Sequence, residues 1–323
     1  MARVALLSNP RSTGNQSLLP GVRSFCAANP DIFHYEVEHV DQIGVALRTI
    51  AKVKPMVLVI NGGDGTVQAA LTELYHGGHF DGSPPPVAVL PNGKTNLIAH
   101  DLGADRGPLE ALKRVLELAR ADLAPHIVQR ELIQLTHGSL SKPVLGMFLG
   151  GAGLAETILF CRHNIYPLGL PNGISHVLAT LAGIASLVFG LTARFLPPRA
   201  SQMKLSVRRQ SQLQGRFPFV MVTTLERLLL NGNMPGRAKG KGGLLVMVIE
   251  RNFFALARAF FYAIRGRLGR RKLSGVHLES GDEIRIEGDR LNLILDGELF
   301  QTSLGHPIVL TPTGPVPFIR LAA

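Results

Sequence analysis

Through about residue 125 the chain alternates strand-like and helix-like runs of apolar positions, a pattern that predicts an α/β layer sandwich built on a largely parallel sheet. Val4–Ser8 reads as a first strand leading into Asn9-Pro10-Arg11-Ser12-Thr13-Gly14-Asn15. Val45–Val53 predicts a helix and Val57–Ile60 a strand, which empties into Asn61-Gly62-Gly63-Asp64-Gly65-Thr66. Val67–Tyr75 then predicts a helix with Thr66 near its start. Pro84-Pro85-Pro86 marks a loop before the strand Val87–Leu90, and Pro91-Asn92-Gly93-Lys94-Thr95-Asn96 opens the helical run Leu97–Leu102. Pro108–Leu123 predicts an amphipathic helix with proline at its start, where the missing N–H costs nothing.

After Pro125 the pattern changes. Val128–Leu135, Val144–Leu149, Met203–Arg208, Phe217–Val222, Leu244–Ile249, Val276–Leu278, Glu283–Glu287 and Leu291–Leu295 are short strand-like runs separated by turn residues. They predict an antiparallel β domain, interrupted by helical insertions at about 174–196 and 252–268. The expected organisation is therefore an N-terminal α/β domain over 1–125 and a C-terminal β-sandwich domain over 126–323, the C-terminal segment being a candidate to return to the first domain. No internal repeat is present.

Composition narrows the class. The chain has 323 residues, 46% apolar and 18% charged, which suits a globular protein with room for two cores. Cys26 and Cys161 lie far apart, form no metal-ligand spacing, and read as reduced thiols of a cytoplasmic protein. The apolar start is short and broken by Asn9-Pro10, a first strand rather than a signal peptide. Net charge is +11, and its position matters more than its size. Residues 1–156 carry 13 Lys+Arg against 14 Asp+Glu, residues 157–278 carry 18 against only Glu226 and Glu250, and residues 279–323 carry 3 against 7. The excess belongs to one stretch, which suggests an anionic surface as partner, membrane or nucleic acid.

The candidate chemistry lies in the first domain. In an open parallel sheet, loops at the carboxyl ends of the strands line one crevice where ligands bind. Three Gly/Asn/Ser/Thr-rich loops are due there: Asn9–Gly14, Gly62–Thr66 and Gly93–Asn96. Together they would present N–H and hydroxyl donors to a polyphosphate, helped by unpaired N–H groups at a helix start. Any one of them could be an ordinary tight turn. Asp64 is the unexpected member, because a carboxylate in an anion cradle is repelled unless it holds a metal or takes a proton from an attacking hydroxyl. There is no G-x-x-x-x-G-K-[ST] loop, no G-x-G-x-x-G opening a helix, and no H-R-D or D-F-G signature. Far downstream, Leu295-Asp296-Gly297-Glu298 ends a late strand; alone it is an ordinary Asp-Gly hairpin turn.

Taken in order, Asn9-Pro10…Gly14, Gly62-Gly63-Asp64-Gly65-Thr66, Pro91-x-Gly93…Asn96 and Asp296-Gly297-Glu298 resemble the diacylglycerol kinase catalytic-domain family, which includes bacterial lipid kinases, sphingosine kinases and ceramide kinases. The resemblance implies an ATP-binding α/β domain related in fold to NAD kinases and phosphofructokinases, followed by a β-sandwich that takes the lipid. It implies nucleotide contacts from Asn9, Gly62, Gly63, Gly65, Thr66, Gly93 and Asn96, and the Gly93–Asn96 loop adds Lys94 and Thr95 as candidates of this chain's own. Asp64 and Glu298 would jointly be the acids that activate the lipid hydroxyl or organise Mg²⁺. Two positions depart from the family's pattern. The second nucleotide loop usually reads P-x-G-T-[GA]-N-D, whereas here Lys94 stands in place of threonine and Thr95 in place of the next small residue; a lysine there could reach phosphates as a point charge. The Asp-rich turn of many bacterial members is replaced by Lys239-Gly240-Lys241-Gly242-Gly243, which cannot ligate Mg²⁺, so an accessory metal site is not expected. Mg²⁺ carried in with ATP still is.

Two further segments carry expectations. Residues 251–272 hold seven positive charges, no acid, four phenylalanines and Tyr262. A basic amphipathic helix with aromatic residues on its apolar side suits an anionic membrane surface, in preference to nucleic acid. Ile174–Leu196 lies in a stretch without Asp, Glu, Lys or Arg from His163 to Ala193. It approaches a spanning length but is interrupted by His176, Gly183 and Gly190, and is expected to pack on the β domain beside an acyl-chain pocket. The whole reads as a cytoplasmic, peripherally membrane-associated kinase that uses ATP and Mg²⁺ to phosphorylate a hydroxyl of diacylglycerol, ceramide or a sphingoid base. The alternatives are an NAD kinase, or a catalytically weak nucleotide-binding membrane sensor.

Overall fold

The computed structural model describes residues 2–93, 95–138, 140, 142–160, 201–208, 210–228, 232–233, 243–265, 267–269 and 271–322. Five objects of the expectations above lie outside them: Lys94, Cys161, the stretch 174–196, the basic turn 239–242 and Arg270. In chain order the first elements are β1 (Val4–Ser8), α1 (Asn15–Ala27), β2 (Ile32–Glu36), α2 (Ile43–Val53), β3 (Val57–Gly62), α3 (Asp64–His76), β4 (Val87–Pro91), α4 (Leu97–Asp101), α5 (Pro108–Arg120) and β5 (Ile127–Arg130). Then follow β6 (Ile133–Thr136), β7 (Val144–Gly146), β8 (Phe148–Gly151), α6 (Gly153–Phe160), β9 (Met203–Val207), β10 (Ser211–Gly215), β11 (Phe219–Thr223), β12 (Arg227–Leu228), β13 (Gly232–Asn233) and β14 (Leu244–Ile249). The last are α7 (Phe253–Ile264), β15 (Val276–Gly281), β16 (Ile284–Glu287), β17 (Asn292–Leu295), β18 (Glu298–Gln301), β19 (Ile308–Pro312) and β20 (Val316–Ile319).

The chain forms two compact units. The first comprises the residues through Leu132, Val144–Gly146, and those from Thr313 on; the second comprises Ile133–Pro143 and Met147–Pro312. The first unit's sheet runs β2-β1-β3-β4-β20-β5. Its first four strands are parallel, in registers such as Val4↔Val57 and Leu58↔Val87. Val4–Leu7, Val57–Ile60 and Val87–Leu90 are buried along their whole length. That is why they read as unbroken apolar runs: helices cover both faces of a parallel sheet, so no position is left for a polar residue. On α5, Pro108 opens the helix, and Ala111, Leu112, Val115, Leu116 and Ala119 form its buried stripe.

The strand order reverses direction between β1 and β3. Their carboxyl ends, Ser8 and Gly62, therefore flank the topological switch point at which open α/β sheets place their ligands. At the other side of the sheet, β20 is inserted between β4 and β5. It runs parallel to β4 and antiparallel to β5, with Phe318 fully buried opposite both Val87 and Val128.

The run expected as one strand over Val128–Leu135 is two strands assigned to different units. Leu132 ends the first piece by exchanging hydrogen bonds with Thr313: its N–H donates to the Thr313 hydroxyl and its carbonyl accepts the Thr313 N–H, both at 2.9 Å. Val144–Leu149 divides in the same manner. Its first half, β7, stays with α3, where Leu145 N–H donates to the Thr72 hydroxyl at 3.0 Å.

The second unit is built from antiparallel strands, which among the described residues form the short β12–β13 pair and two larger sheets. One runs β10-β9-β16-β19-β6, and the other β15-β14-β11-β8-β17-β18. In β9 the inward residues Met203, Leu205 and Val207 alternate with partly exposed Lys204 and Ser206, as a sheet with one wet face requires. β14 is buried throughout because α7 helps cover it. Met221, Met247 and Ile249 of the sheet pack with Ala255 and Ala259 of α7 and with Leu268. The packed face of α7 is thus made of alanines with Leu256, Tyr262 and Ala263. Phe253, Phe254, Phe260 and Phe261 point the other way and are exposed. Among the described residues no helix is long and apolar enough to cross a membrane.

Candidate active site

The three expected loops come together at the carboxyl ends of β1, β3 and β4, tied by a network of buried amides. Asn15, Asn61 and Asn92 are each at most 1% exposed. The Asn92 side-chain nitrogen donates to the Asn15 and Asn61 side-chain oxygens. Asn15 in turn donates to the carbonyls of Asn9 at 2.7 Å and Asn61 at 3.1 Å. Asn61 donates to the Ser8 hydroxyl at 3.0 Å, and His34 Nε2 lies 2.9 Å from the same hydroxyl. Backbone bonds complete the set, from Asn9 N–H to Asn61 O at 2.9 Å and from Gly14 N–H to Asn92 O at 3.3 Å. Each loop therefore holds the other two, in surroundings where an unpaired amide would be costly.

On this base sit the predicted binding residues. The helix α3 begins one turn earlier than the apolar pattern indicates, with Gly63 as N-cap and Asp64 as its first residue. Its first intrahelical bond is from Val67 N–H to Gly63 O at 3.0 Å, so the N–H groups of Asp64, Gly65 and Thr66 form the open, positive end of the helix. Asn9 Nδ2 donates to the Thr66 hydroxyl at 2.9 Å, and the Ser12 hydroxyl accepts the Gly63 N–H at 3.1 Å. In the third loop Asn96 adopts a left-handed conformation, φ 52°, and its side-chain oxygen accepts the Gly93 N–H at 2.5 Å. The Thr95 hydroxyl donates to the Asp64 carboxylate.

Glycine is required in this cradle for space, not for dihedral freedom. A Cβ on Gly62 would stand 2.7 Å from the Thr66 Cβ, and one on Gly93 would stand 3.0 Å from the Gly63 Cα. Asp64 is only partly exposed, and the loss of water pushes its carboxyl above the usual carboxylate range. The Thr95 hydroxyl, the Asn96 N–H and the nearby His100 pull it back without cancelling that effect. As the first residue of α3 the carboxylate is also well placed against the helix dipole, which is a structural reason for an acid there. A carboxylate with a raised pKa beside free N–H groups can bind next to an anion and accept a proton.

Residues 3–124 match the family model of the diacylglycerol kinase catalytic domain. The match to this kinase domain spans all three loops, including Asn9, Asp64 and Asn96, and ends before Asp296. The chain is also similar to a solved structure described as a diacylglycerol kinase from Bacillus anthracis str. Sterne, with 18% identity, 98% of this chain and 96% of that chain covered, and a TM-score of 0.63. A second similar structure is an NAD kinase from Archaeoglobus fulgidus in complex with ATP, with 10% identity, 98% and 93% coverage, and a TM-score of 0.50. At such identities the likeness is one of fold, and it extends over both units. Comparison with curated proteins gave no match.

In the second unit Asp296 and Gly297 form the two-residue turn between β17 and β18, with φ of 44° and 95°, the double positive φ of a primed hairpin turn. The Asp296 side chain is buried, and its carboxylate accepts the N–H groups of Met147 at 2.8 Å and Phe148 at 2.9 Å. Glu298, the other acid of the motif, is exposed at the start of β18. The motif thus contains one acid fixed in the fold and one that is not.

Sequence reasoning missed the amides. Asn15, Asn61 and Asn92 were legible only as turn formers. The available signal was that each stands at the polar end of an apolar strand or loop, where a buried amide can link neighbouring strands.

Proposed function

We propose that this protein is an ATP-dependent lipid kinase that transfers the γ-phosphoryl group to a hydroxyl of diacylglycerol, ceramide or a sphingoid base at a membrane surface. The observation that carries this reading is the amide-linked cradle of Asn9–Gly14, Gly62–Thr66 and Gly93–Asn96, with Asp64 at its centre. A Cβ on Gly93 would press on Gly63 of the neighbouring loop and one on Gly62 on Thr66 of its own, so the loops pack backbone to backbone and leave their N–H groups accessible to a phosphate chain.

In this reading the N–H groups of Asp64, Gly65 and Thr66 orient the phosphates, and the Asn9–Thr66 bond fixes the hydroxyl beside them. Asp64 takes the proton from the attacking hydroxyl or shares Mg²⁺ with the phosphates, and Glu298 is the second acid. Among the described residues no group of three or more His, Cys, Asp and Glu could hold a metal alone. Mg²⁺ is commonly held by one or two carboxylates plus phosphate oxygens rather than by an all-protein cage, and Asp64 with the nucleotide phosphates would supply such a set. Bound there, Mg²⁺ would neutralise charge developing on the transferred group.

The test is turnover by the purified protein with ATP-Mg²⁺ and a panel of lipids in mixed micelles, with NAD⁺ as a further acceptor, beside Asp64→Asn. Phosphate appearing on a lipid with wild type and not with the variant is the expected result. Phosphate on NAD⁺ instead, or nucleotide binding with no product on any acceptor, overturns it.

A further inference from the structure

We infer that the outer face of α7 is a docking surface for an anionic lipid bilayer, with four phenylalanines as the inserted groups and arginines as the headgroup contacts. It deepens the kinase reading by assigning the membrane contact to named side chains. Vesicle binding is measured without turnover, so failure here and failure of the kinase assay are separate results.

The face is composed of two adjacent stripes at helical spacing. One is Phe254, Arg258, Phe261 and Arg265; the other carries Phe253, Ala257 and Phe260. All seven residues are exposed, and among the described residues every exposed phenylalanine lies on this helix. The opposite face is already used, since Ala255 and Ala259 are buried against Met221, Met247 and Ile249. An ordinary surface helix packs its largest apolar residues, whereas α7 exposes its four phenylalanines and packs mainly alanines with Leu256 and Tyr262. The helix is also firmly started, because the Asn252 side chain accepts the Phe254 N–H at 2.9 Å. The phenylalanines are therefore displayed on a fixed element and not on a loop that could turn them inward.

Charge decides the occupant. The guanidinium of Arg265 lies 3.7 Å over the Phe261 ring, and Arg258 Nε donates to the Phe254 carbonyl at 3.0 Å. Arg265 is thereby held over an aromatic ring and Arg258 against the backbone of Phe254, so both cations sit among the exposed phenylalanines, an arrangement that suits apolar groups entering a bilayer while cations remain at the headgroups. Arg251, Arg267, Arg271 and Lys272 extend the basic field, and all are exposed. The flanking carboxylate, Glu250, is engaged by His277 Nε2 at 2.8 Å. A second copy of the chain is the poorer partner, because a two-fold contact through this face would oppose Arg258 and Arg265 to their own equivalents. A bilayer rich in acidic headgroups takes both the rings and the charge.

The test uses the full chain and vesicles of phosphatidylcholine with and without phosphatidylglycerol, read by co-sedimentation. Wild type is expected to bind the anionic vesicles and to be released by salt. Phe254→Ser combined with Phe261→Ser should weaken binding roughly tenfold or more, since each ring removed forfeits a large part of a buried aromatic side chain's transfer energy. Arg258→Glu combined with Arg265→Glu should abolish the preference for anionic vesicles. Circular dichroism melts should be unchanged for both variants, because the altered side chains lie outside the core. Absence of wild-type binding to anionic vesicles, or wild-type affinity in both double variants, overturns the proposal. So does a wild-type dimer in solution that the phenylalanine variant dissociates.

Discussion

Gly93 approaches Gly63 so closely that a Cβ on Gly93 would stand 3.0 Å from the Gly63 Cα, whereas one on Gly63 would meet the Gly93 Cα at an ordinary 3.7 Å. The two glycines are therefore not equivalent. Gly93→Ala also presses on Asn96 Oδ1 at 3.1 Å and on the Asp64 N–H nitrogen at 3.4 Å. Gly62→Ala is worse placed still, meeting the stiff, β-branched Thr66 at 2.7 Å. Overpacking of this kind costs about 1–3 kcal/mol, so Gly62→Ala and Gly93→Ala should weaken nucleotide binding roughly tenfold or more. Gly63→Ala should stay within about threefold by the same reasoning. Titration calorimetry with a non-hydrolysable ATP analogue measures all three, and equal losses would contradict this geometry.

Asp64→Asn should separate stability from activity. The Asp64 carboxyl titrates above its unfolded value, so the ionised form is the one the fold disfavours. A group with a raised folded pKa adds stability below its unfolded pKa and loses it as pH rises through the folded pKa. Near neutral pH the wild type therefore carries a penalty that the amide does not. Asp64→Asn is expected to melt higher than wild type at pH 7, with the gap closing as pH falls into the carboxylate range, while phosphoryl transfer is abolished. A melting series from pH 7 to pH 4 checks the sign.

Asn92 tests the loop network. Asn92→Ala removes a donor shared by two buried amide oxygens, those of Asn15 and Asn61. Leaving both unsatisfied should cost about 2–4 kcal/mol. Asn92→Asp keeps the shape but turns the donor into an acceptor facing two other acceptors, and should be at least as damaging. Denaturant midpoints decide it. If Asn92→Asp were as stable as wild type, the amide orientation described above would be wrong.

Asp296 and Glu298, two residues apart, should behave oppositely. Asp296 accepts two backbone N–H groups as a buried carboxylate, and hydrogen bonds to a charged group contribute about 1.5–3 kcal/mol each. Asp296→Ala should lower the melting temperature markedly. Glu298 is exposed, so Glu298→Gln should change stability by no more than about 0.5 kcal/mol. If Glu298 is the second acid, that same variant lowers kcat. Calorimetry beside initial rates distinguishes the two roles.

The parts of this fold that were legible are those in which local pattern and burial agree. Val4–Leu7, Val57–Ile60 and Val87–Leu90 are apolar runs because both faces of their sheet are covered, and the loops following them are polar because they line the switch point. The illegible parts were decided by distant partners. Nothing in Val128–Leu135 shows that Thr313, nearly two hundred residues away, will end its first half at Leu132. The start of α1 is obscured by Pro20 and Gly21 inside the helix. In α7 both faces carry apolar residues, alanines on one and phenylalanines with arginines on the other, so periodicity identifies a helix without saying which face the sheet takes. The choice falls to the sheet, where Ala255 and Ala259 sit against Met221, Met247 and Ile249. The Asn15–Asn61–Asn92 set was hidden for a similar reason, since an amide in a turn gives no sign of the strand end it will reach.

The place of β20 has a consequence for how the molecule is made. The sheet of the first unit cannot close until Val316–Ile319 slide between β4 and β5, strands separated from them by more than 180 residues. Pairings of such long range are slow, because loop-closure entropy must be met before any contact rewards it. During synthesis the residues up to Arg130 therefore leave the ribosome with the β4 and β5 edges unfilled, and the unit they belong to is completed only after Met147–Pro312 has been made. A chain halted just short of Thr313 would retain every loop of the candidate active site and still present open strand edges to its neighbours, making it prone to aggregation.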